Sequence, residues 1–316
     1  MGARVGQFDV STNPLISVSG LAHELDLARE AGTGDIHQPE FEPGQEPVRD
    51  GGTLRILDVR WRLDRPNGSA EYREGHIPGA VYVDLDTELA AHGAPTDGRH
   101  PLPTLEQLVD AALSWGLNAG DRVVVYDDFQ SVPASRAWWL LTNAGFVDVR
   151  VLDGGLAAWR SAGHPVETGG RTAERGTVEL TEGNLPTIGL ADAAKFPTAG
   201  VLLDARAPER YRGEVEPMDP RAGHIPGAIN APASINFGPD GMFLSPEQLR
   251  ERYAALGVVD GVAVASYCGS GVTASQTVLA LSVAGISSAL FPGSWSQWSQ
   301  HPELPAATGS PSTLNL

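Results

Sequence analysis

Cys268 is the chain's only cysteine, and it stands in the stretch YCGSGVTAS, Tyr267 to Ser275. Before it runs an apolar segment, Val262 to Tyr267, that reads as a buried strand; from Ala274 onward the residues read as a helix. A strand feeding a helix through residues 268–273 sets that loop outside the carboxyl end of a sheet, where open α/β folds hold their ligands. Gly269 and Gly271 let the backbone curl so that successive N–H groups converge on one point, and the helix dipole adds to the field. A thiol in such a nest is expected to ionise near neutral pH and to act as a nucleophile. The competing fate for an isolated cysteine is a small buried hydrophobe.

Several chemistries use a cysteine this way. Phosphatases end the loop with an arginine that grips phosphate oxygens in bidentate fashion. Here Ala274 holds that position and no Arg or Lys occurs from Cys268 to Leu290, so phosphoryl transfer is disfavoured. A papain-like protease needs a paired histidine and a cleft between unlike domains, and the sequence signals neither. A binding module with an inert thiol remains open, although it leaves the glycine nest without a purpose.

The elements that position this loop are written twice. EGHIPGAVYVDL at Glu74 to Leu85 returns as AGHIPGAINAPA at Ala222 to Ala233, each preceded by a short strand ending in Asp-x-Arg, LRILDVRW and GVLLDARA. Downstream, TLEQLVDAALSWGLNAGDRVVVYDD matches SPEQLRERYAALGVVDGVAVASYCG, an amphipathic helix opened by Thr or Ser and followed by a buried strand. Helical segments Ala134 to Asn143 and Ala274 to Ala284 follow, then a strand, a glycine turn and a tryptophan helix. This pattern predicts two α/β domains, residues 1–166 and 185–316, joined by a polar linker at 167–184. Residues 36–52, rich in Pro and Glu, read as an exposed loop inserted in the first domain.

Superimposing the copies sets Tyr126-Asp127 on Tyr267-Cys268, so the thiol of the second copy faces an aspartate in the first. His76 and His224 inside GHIPGA occur in both copies, as do Asp58 and Asp204. A feature shared by a copy with the cysteine and a copy without it is expected to serve structure. Trp138 and Trp139 are expected to pack in the core.

Composition agrees with this plan and narrows the function. A chain of 316 residues with 37 glycines and 24 prolines suits two domains of short alternating strands and helices. A formal net charge of −17 repels polyanions and argues against nucleic-acid partners. One cysteine forbids an intrachain disulfide, the start MGARVGQFDVSTNP lacks the apolar core of a signal peptide, and no apolar run is long enough to span a bilayer. The expectation is a cytoplasmic protein without a membrane partner. The eight histidines are scattered, which gives a zinc site little support.

The paired GHIPGA segments, the cysteine loop in the second copy and the aspartate in the first resemble the two-domain rhodanese-like sulfurtransferases. CGSGVTA resembles the loop of the 3-mercaptopyruvate type, and the likeness runs from about Pro14 to His301. It implies two tandem domains, each a parallel sheet with helices on both faces, the first noncatalytic, with the active site at the interface between them. It also implies that Cys268 takes sulfur from a donor as a persulfide and passes it to cyanide, a thiol or reduced thioredoxin, with no metal or organic cofactor. The amides of Gly269, Gly271, Val272 and Thr273 would hold the terminal sulfur. Thiosulfate-preferring relatives carry Arg and Lys directly after the cysteine, where this chain has Gly269 and Ser270, so mercaptopyruvate is the expected donor and thiosulfate the alternative. An arginine upstream of the second GHIPG would bind the donor carboxylate, which by motif is Arg210. The family's second arginine falls on Asp219, leaving Arg221 or Arg212 as substitutes. The Ser-His-Asp relay attributed to the family falls on Ser270, His100 and Asp86.

Overall fold

The computed structural model describes residues 13–30 and 52–310, so the loop expected at 36–52 lies almost wholly outside the described residues. The described chain divides into two compact units. The N-terminal unit holds residues 15–88 and 105–182, and the C-terminal unit holds 89–104 together with 183 onward.

In the N-terminal unit strands β1 (Leu15–Ile16), β2 (Leu54–Asp58), β3 (Val81–Tyr82), β4 (Arg122–Tyr126) and β5 (Val149–Leu152) alternate with helices. These helices are α1 (Val18–Glu30), α2 (Ser69–Glu74), α3 (Leu85–Glu88), α4 (Leu105–Ser114), α5 (Val132–Asn143) and α6 (Gly155–Ser161). The sheet order is β1-β5-β4-β2-β3, every pair parallel. β4 lies between β5 and β2 and is buried from Val123 to Tyr126, the continuous apolar run expected of a strand covered on both faces. α5 is buried along almost its whole length, Trp138 and Trp139 included.

The C-terminal unit repeats the plan with β6 (Gly200–Asp204), β7 (Ile229–Asn230), β8 (Ala263–Tyr267) and β9 (Ala289–Leu290) in the parallel order β7-β6-β8-β9. Its helices are α7 (Leu190–Ala193), α8 (Pro208–Tyr211), α9 (Pro246–Ala254), α10 (Val272–Val283) and α11 (Ser294–Trp298). A single parallel bridge, Thr187 to Leu290, stands where β1 pairs with β5 in the other unit. Ser245 caps α9, its Oγ accepting from Gln248 N–H at 3.3 Å, as the sequence signals.

The repeated motif builds the same clip in both units. Asp58 pairs with Arg60 at 2.8 Å and Asp204 with Arg206 at 2.7 Å, all four side chains buried. Each arginine donates to the carbonyl opening GHIPGA, Gly75 and Gly223, at 2.6 Å. His76 Nδ1 donates to the Tyr72 carbonyl at 2.8 Å and His224 Nδ1 to that of Tyr211 at 2.7 Å, and each imidazole stacks on the same tyrosine. Since a carbonyl only accepts, Nδ1 carries the proton in both rings. Burial pushes His224 below its ordinary pKa, in keeping with a neutral structural ring. Tyr126 and Tyr267, the residues before Asp127 and Cys268, accept the N–H of Ile77 and Ile225 on their hydroxyls. The clip thus ties the end of each central strand to the loop beside it.

The polar segment at 167–184 is held to the N-terminal unit over much of its length. Glu167 and His76 exchange backbone hydrogen bonds at 2.8 and 2.9 Å, Thr177 and Val178 donate to Leu117, and Thr181 donates to Ala144.

Candidate active site

β8 ends at Tyr267 and α10 begins at Val272, two residues earlier than the sequence suggests. The difference comes from Gly271, which caps the helix in the left-handed region at φ 84°. Val272 and Thr273 are therefore first-turn helical residues whose N–H groups have no carbonyl one turn back. A Cβ on Gly271 would lie 2.3 Å from the Pro292 carbonyl oxygen, so both conformation and space require glycine there.

Cys268 is buried at 2% exposure, with its Sγ accepting the Gly271 N–H at 3.1 Å. Its own N–H donates to Ser294 Oγ at 3.1 Å, and its carbonyl accepts from Trp295 N–H at 3.0 Å. Ser294 Oγ in turn donates to the Phe291 carbonyl at 2.9 Å. Ser294 is fully buried and holds φ at 53°, an uncommon conformation for serine. In the N-terminal unit Gly155 holds φ 55°, and Leu156 N–H bonds to the Asp127 carbonyl just as Trp295 bonds to Cys268. Ser294 thus stands where the N-terminal copy has glycine, a difference visible in the aligned repeats but not singled out from sequence.

The N-terminal copy fills its nest with its own side chain. Asp127 Oδ1 accepts the N–H of Phe129 at 2.8 Å and of Ser131 at 3.0 Å, and Oδ2 that of Ala134 at 3.0 Å. Burial pushes this carboxyl up to about 7 against the three amide donors that favour its ionised form.

Segment 89–104, assigned by sequence to the first domain, packs within the C-terminal unit. Arg99 N–H donates to Ser296 Oγ at 3.1 Å, and Gln297 Nε2 donates to the Thr96 carbonyl at 3.2 Å. This brings His100 Nδ1 to 2.8 Å from Ser270 Oγ, joining two of the three expected relay residues. Asp86 lies in the N-terminal unit, where its Oδ1 accepts the Trp61 indole N–H at 2.9 Å.

The same segment brings a cation that sequence reasoning missed. A Cβ on Gly269 would lie 3.0 Å from an Arg99 terminal nitrogen and 3.5 Å from one of Arg210, so two guanidiniums flank the residue after the cysteine. The only sequence hint was that Arg99 adjoins His100. Asp219 bonds to both, pairing with Arg99 Nη1 and lying 3.3 Å from Arg210 Nη2. Glu216 approaches Arg210 at 2.6 Å and Arg206 at 3.4 Å. Burial raises the Asp219 carboxyl above its ordinary range, opposed by Arg99. The Nε atoms of Arg99 and Arg210 are buried and lack a hydrogen-bond partner in the protein.

The other two candidate arginines are engaged elsewhere. Arg221 donates to the carbonyls of Trp298, Ser299, His301 and Leu304 at 2.8 to 3.0 Å, pinning the turn after α11. With its donors so occupied it is a structural clamp rather than the substrate contact expected from sequence. Arg212 pairs with Glu214 at 2.7 Å on the surface. Among the described residues no group of three or more His, Cys, Asp or Glu could hold a metal ion, and no helix is long and apolar enough to cross a membrane.

A family model described as the rhodanese-like domain matches the chain twice, over residues 45–162 and 190–301. The chain belongs to the rhodanese-like family. A Mycobacterium tuberculosis protein named "Putative thiosulfate sulfurtransferase SseB" is 47% identical over 269 residues, covering 83% of this chain and 94% of that protein. A Pseudomonas aeruginosa protein named "Probable 3-mercaptopyruvate sulfurtransferase" is 46% identical over 268 residues, covering 81% and 93%. The crystal structure of SseA from Escherichia coli, described as a 3-mercaptopyruvate sulfotransferase, superimposes with a TM-score of 0.73 at 29% identity, covering 90% of this chain and 99% of that one. This rhodanese-like chain is a sulfurtransferase of the group that includes the 3-mercaptopyruvate and thiosulfate enzymes.

Proposed function

We propose that the protein moves the sulfur of 3-mercaptopyruvate to a thiol or to cyanide through a persulfide on Cys268. The observation that carries this reading is the Cys268 sulfur at the mouth of α10 with the Gly271 N–H aimed at it, beside a hydroxyl–imidazole pair. The Cys268 thiolate attacks the donor sulfur, the S–S bond forms as the C–S bond breaks, and the electron pair leaves on carbon as enolpyruvate. The proton of the donor thiol passes to that carbon as pyruvate forms. Ser270 and His100, the two relay residues that stand together, carry the proton. The amides of Gly269, Gly271, Val272 and Thr273 face the terminal persulfide sulfur as a preorganised hole. Arg210 receives the donor carboxylate, with Arg99 rather than Arg221 as its neighbour. A small thiol or a thioredoxin-like dithiol then removes the sulfur. In this reading the N-terminal domain is noncatalytic.

Thiosulfate as donor is the second reading, supported by the name of the Mycobacterium relative. Intact-mass measurement after each donor alone tests both. A gain of roughly 32 Da, one sulfur atom, is expected with mercaptopyruvate and is lost in Cys268→Ser. No gain with either donor overturns the persulfide mechanism, and a thiosulfate rate far above the mercaptopyruvate rate reverses the donor order.

A further inference from the structure

The charges beside the cysteine loop form one alternating chain, Asp204, Arg206, Glu216, Arg210, Asp219 and Arg99. Three carboxylates and three guanidiniums make it neutral as a whole. The final carboxylate of this alternating chain is Asp219, which links its last two guanidiniums. Its side chain is only 2% exposed and it holds both guanidiniums that flank Gly269, while Arg99 and Arg210 are 24% and 20% exposed.

Resting on the donor reading above, we propose that Asp219 is the specificity-determining residue of the donor site: by pairing with Arg99 and Arg210 it cancels their surplus charge, so the site accepts singly charged donors and discriminates against doubly charged ones. A carboxylate this buried cannot hand its charge to solvent, so its field acts on whatever anion sits beside Gly269. A dianion meets that field with twice the repulsion of a monoanion and gains nothing extra from cations already paired. What Arg99 and Arg210 still present to solvent, at 24% and 20% exposure, is enough for one carboxylate or one sulfonyl group.

Two donors with the same sulfane sulfur on a sulfonyl sulfur isolate charge from chemistry: thiosulfate, a dianion, and methanethiosulfonate, a monoanion. With cyanide as acceptor, Asp219→Asn is expected to lower KM for thiosulfate about tenfold, near 1.4 kcal/mol, and KM for methanethiosulfonate by clearly less, with kcat for either changed little. Asp219→Glu, which keeps the charge, should retain the wild-type ratio of the two kcat/KM values. A ratio that does not move in Asp219→Asn, or moves equally in Asp219→Glu, overturns the proposal. Should Asp219→Asn fail to fold by thermal melting, Arg99→Gln decides. It makes the site more negative and must shift the ratio further toward the monoanion, and no shift refutes the role of Asp219. A wild-type protein that gains no sulfur from any donor would instead remove the persulfide reading itself.

Discussion

His100 Nδ1 stands 2.8 Å from Ser270 Oγ, across 170 positions of sequence, and Ser270 is two residues from the cysteine. If this pair moves the proton that enolpyruvate requires, His100→Ala and Ser270→Ala should lower kcat with mercaptopyruvate by about 10²- to 10⁴-fold. Thiosulfate releases sulfite, which needs no proton to depart, so its kcat should fall much less. Steady-state kinetics with both donors checks this, and equal losses would count against a proton-transfer role.

Ser294 offers a test of how the nucleophile is held. Ser294→Ala removes the acceptor for the Cys268 N–H, leaving a buried donor without a partner at a cost of about 1–3 kcal/mol. Ser294→Gly loses the same bond but relieves the positive φ, so it should be the more stable of the two in urea. Both should slow persulfide formation about tenfold in single-turnover mass measurements. A Ser294→Ala protein of wild-type rate would show that the serine serves the fold alone.

Gly271→Ala should be far more damaging than Gly269→Ala. At 271 the new methyl meets the Pro292 carbonyl carbon and oxygen at a left-handed φ, which costs upward of about 1–3 kcal/mol and tilts the start of α10. At 269 it meets only the ends of two flexible arginines. Thermal melting should place Gly269→Ala near the wild type and Gly271→Ala well below it.

Asp127 predicts a pH dependence. Its folded pKa, near 7, lies above the ordinary carboxylate value near 3.9, so between these limits the folded chain holds more protons than the unfolded one. Its contribution is present at about pH 4 and is lost as pH rises through 7. Urea midpoints measured from pH 5 to 8 should fall with pH in the wild type more steeply than in Asp127→Asn.

The buried pairs of the two clips should be matched in weight. Asp58→Ala and Asp204→Ala each strand a buried guanidinium and are expected to cost about 3–5 kcal/mol. Chemical denaturation measures both.

The duplication made most of the fold legible. GHIPGA and its flanking strand recur because each unit needs the same Asp-Arg-His clip, and comparing Cys268 with Asp127 marked the difference between the copies on which the proposed site rests. What escaped was whatever depends on long-range contact. Arg99 is remote from Cys268 in sequence and reaches Gly269 only because segment 89–104 packs on α11. Arg221 stands in the sequence as a substitute for the arginine that the resemblance places at Asp219, yet carbonyls up to 83 residues away claim its guanidinium. The helix start was misjudged by two residues because a left-handed Gly271 caps as well as bends.

The carboxylate of Asp127 stands in its loop as an inhibitor would, tethered and never released. A domain that carries its own occupant has no need of a visitor to keep its amides satisfied. The three amides at the start of α5 are thus satisfied from within the unit, at the corner where the other unit leaves a sulfur atom facing a single amide.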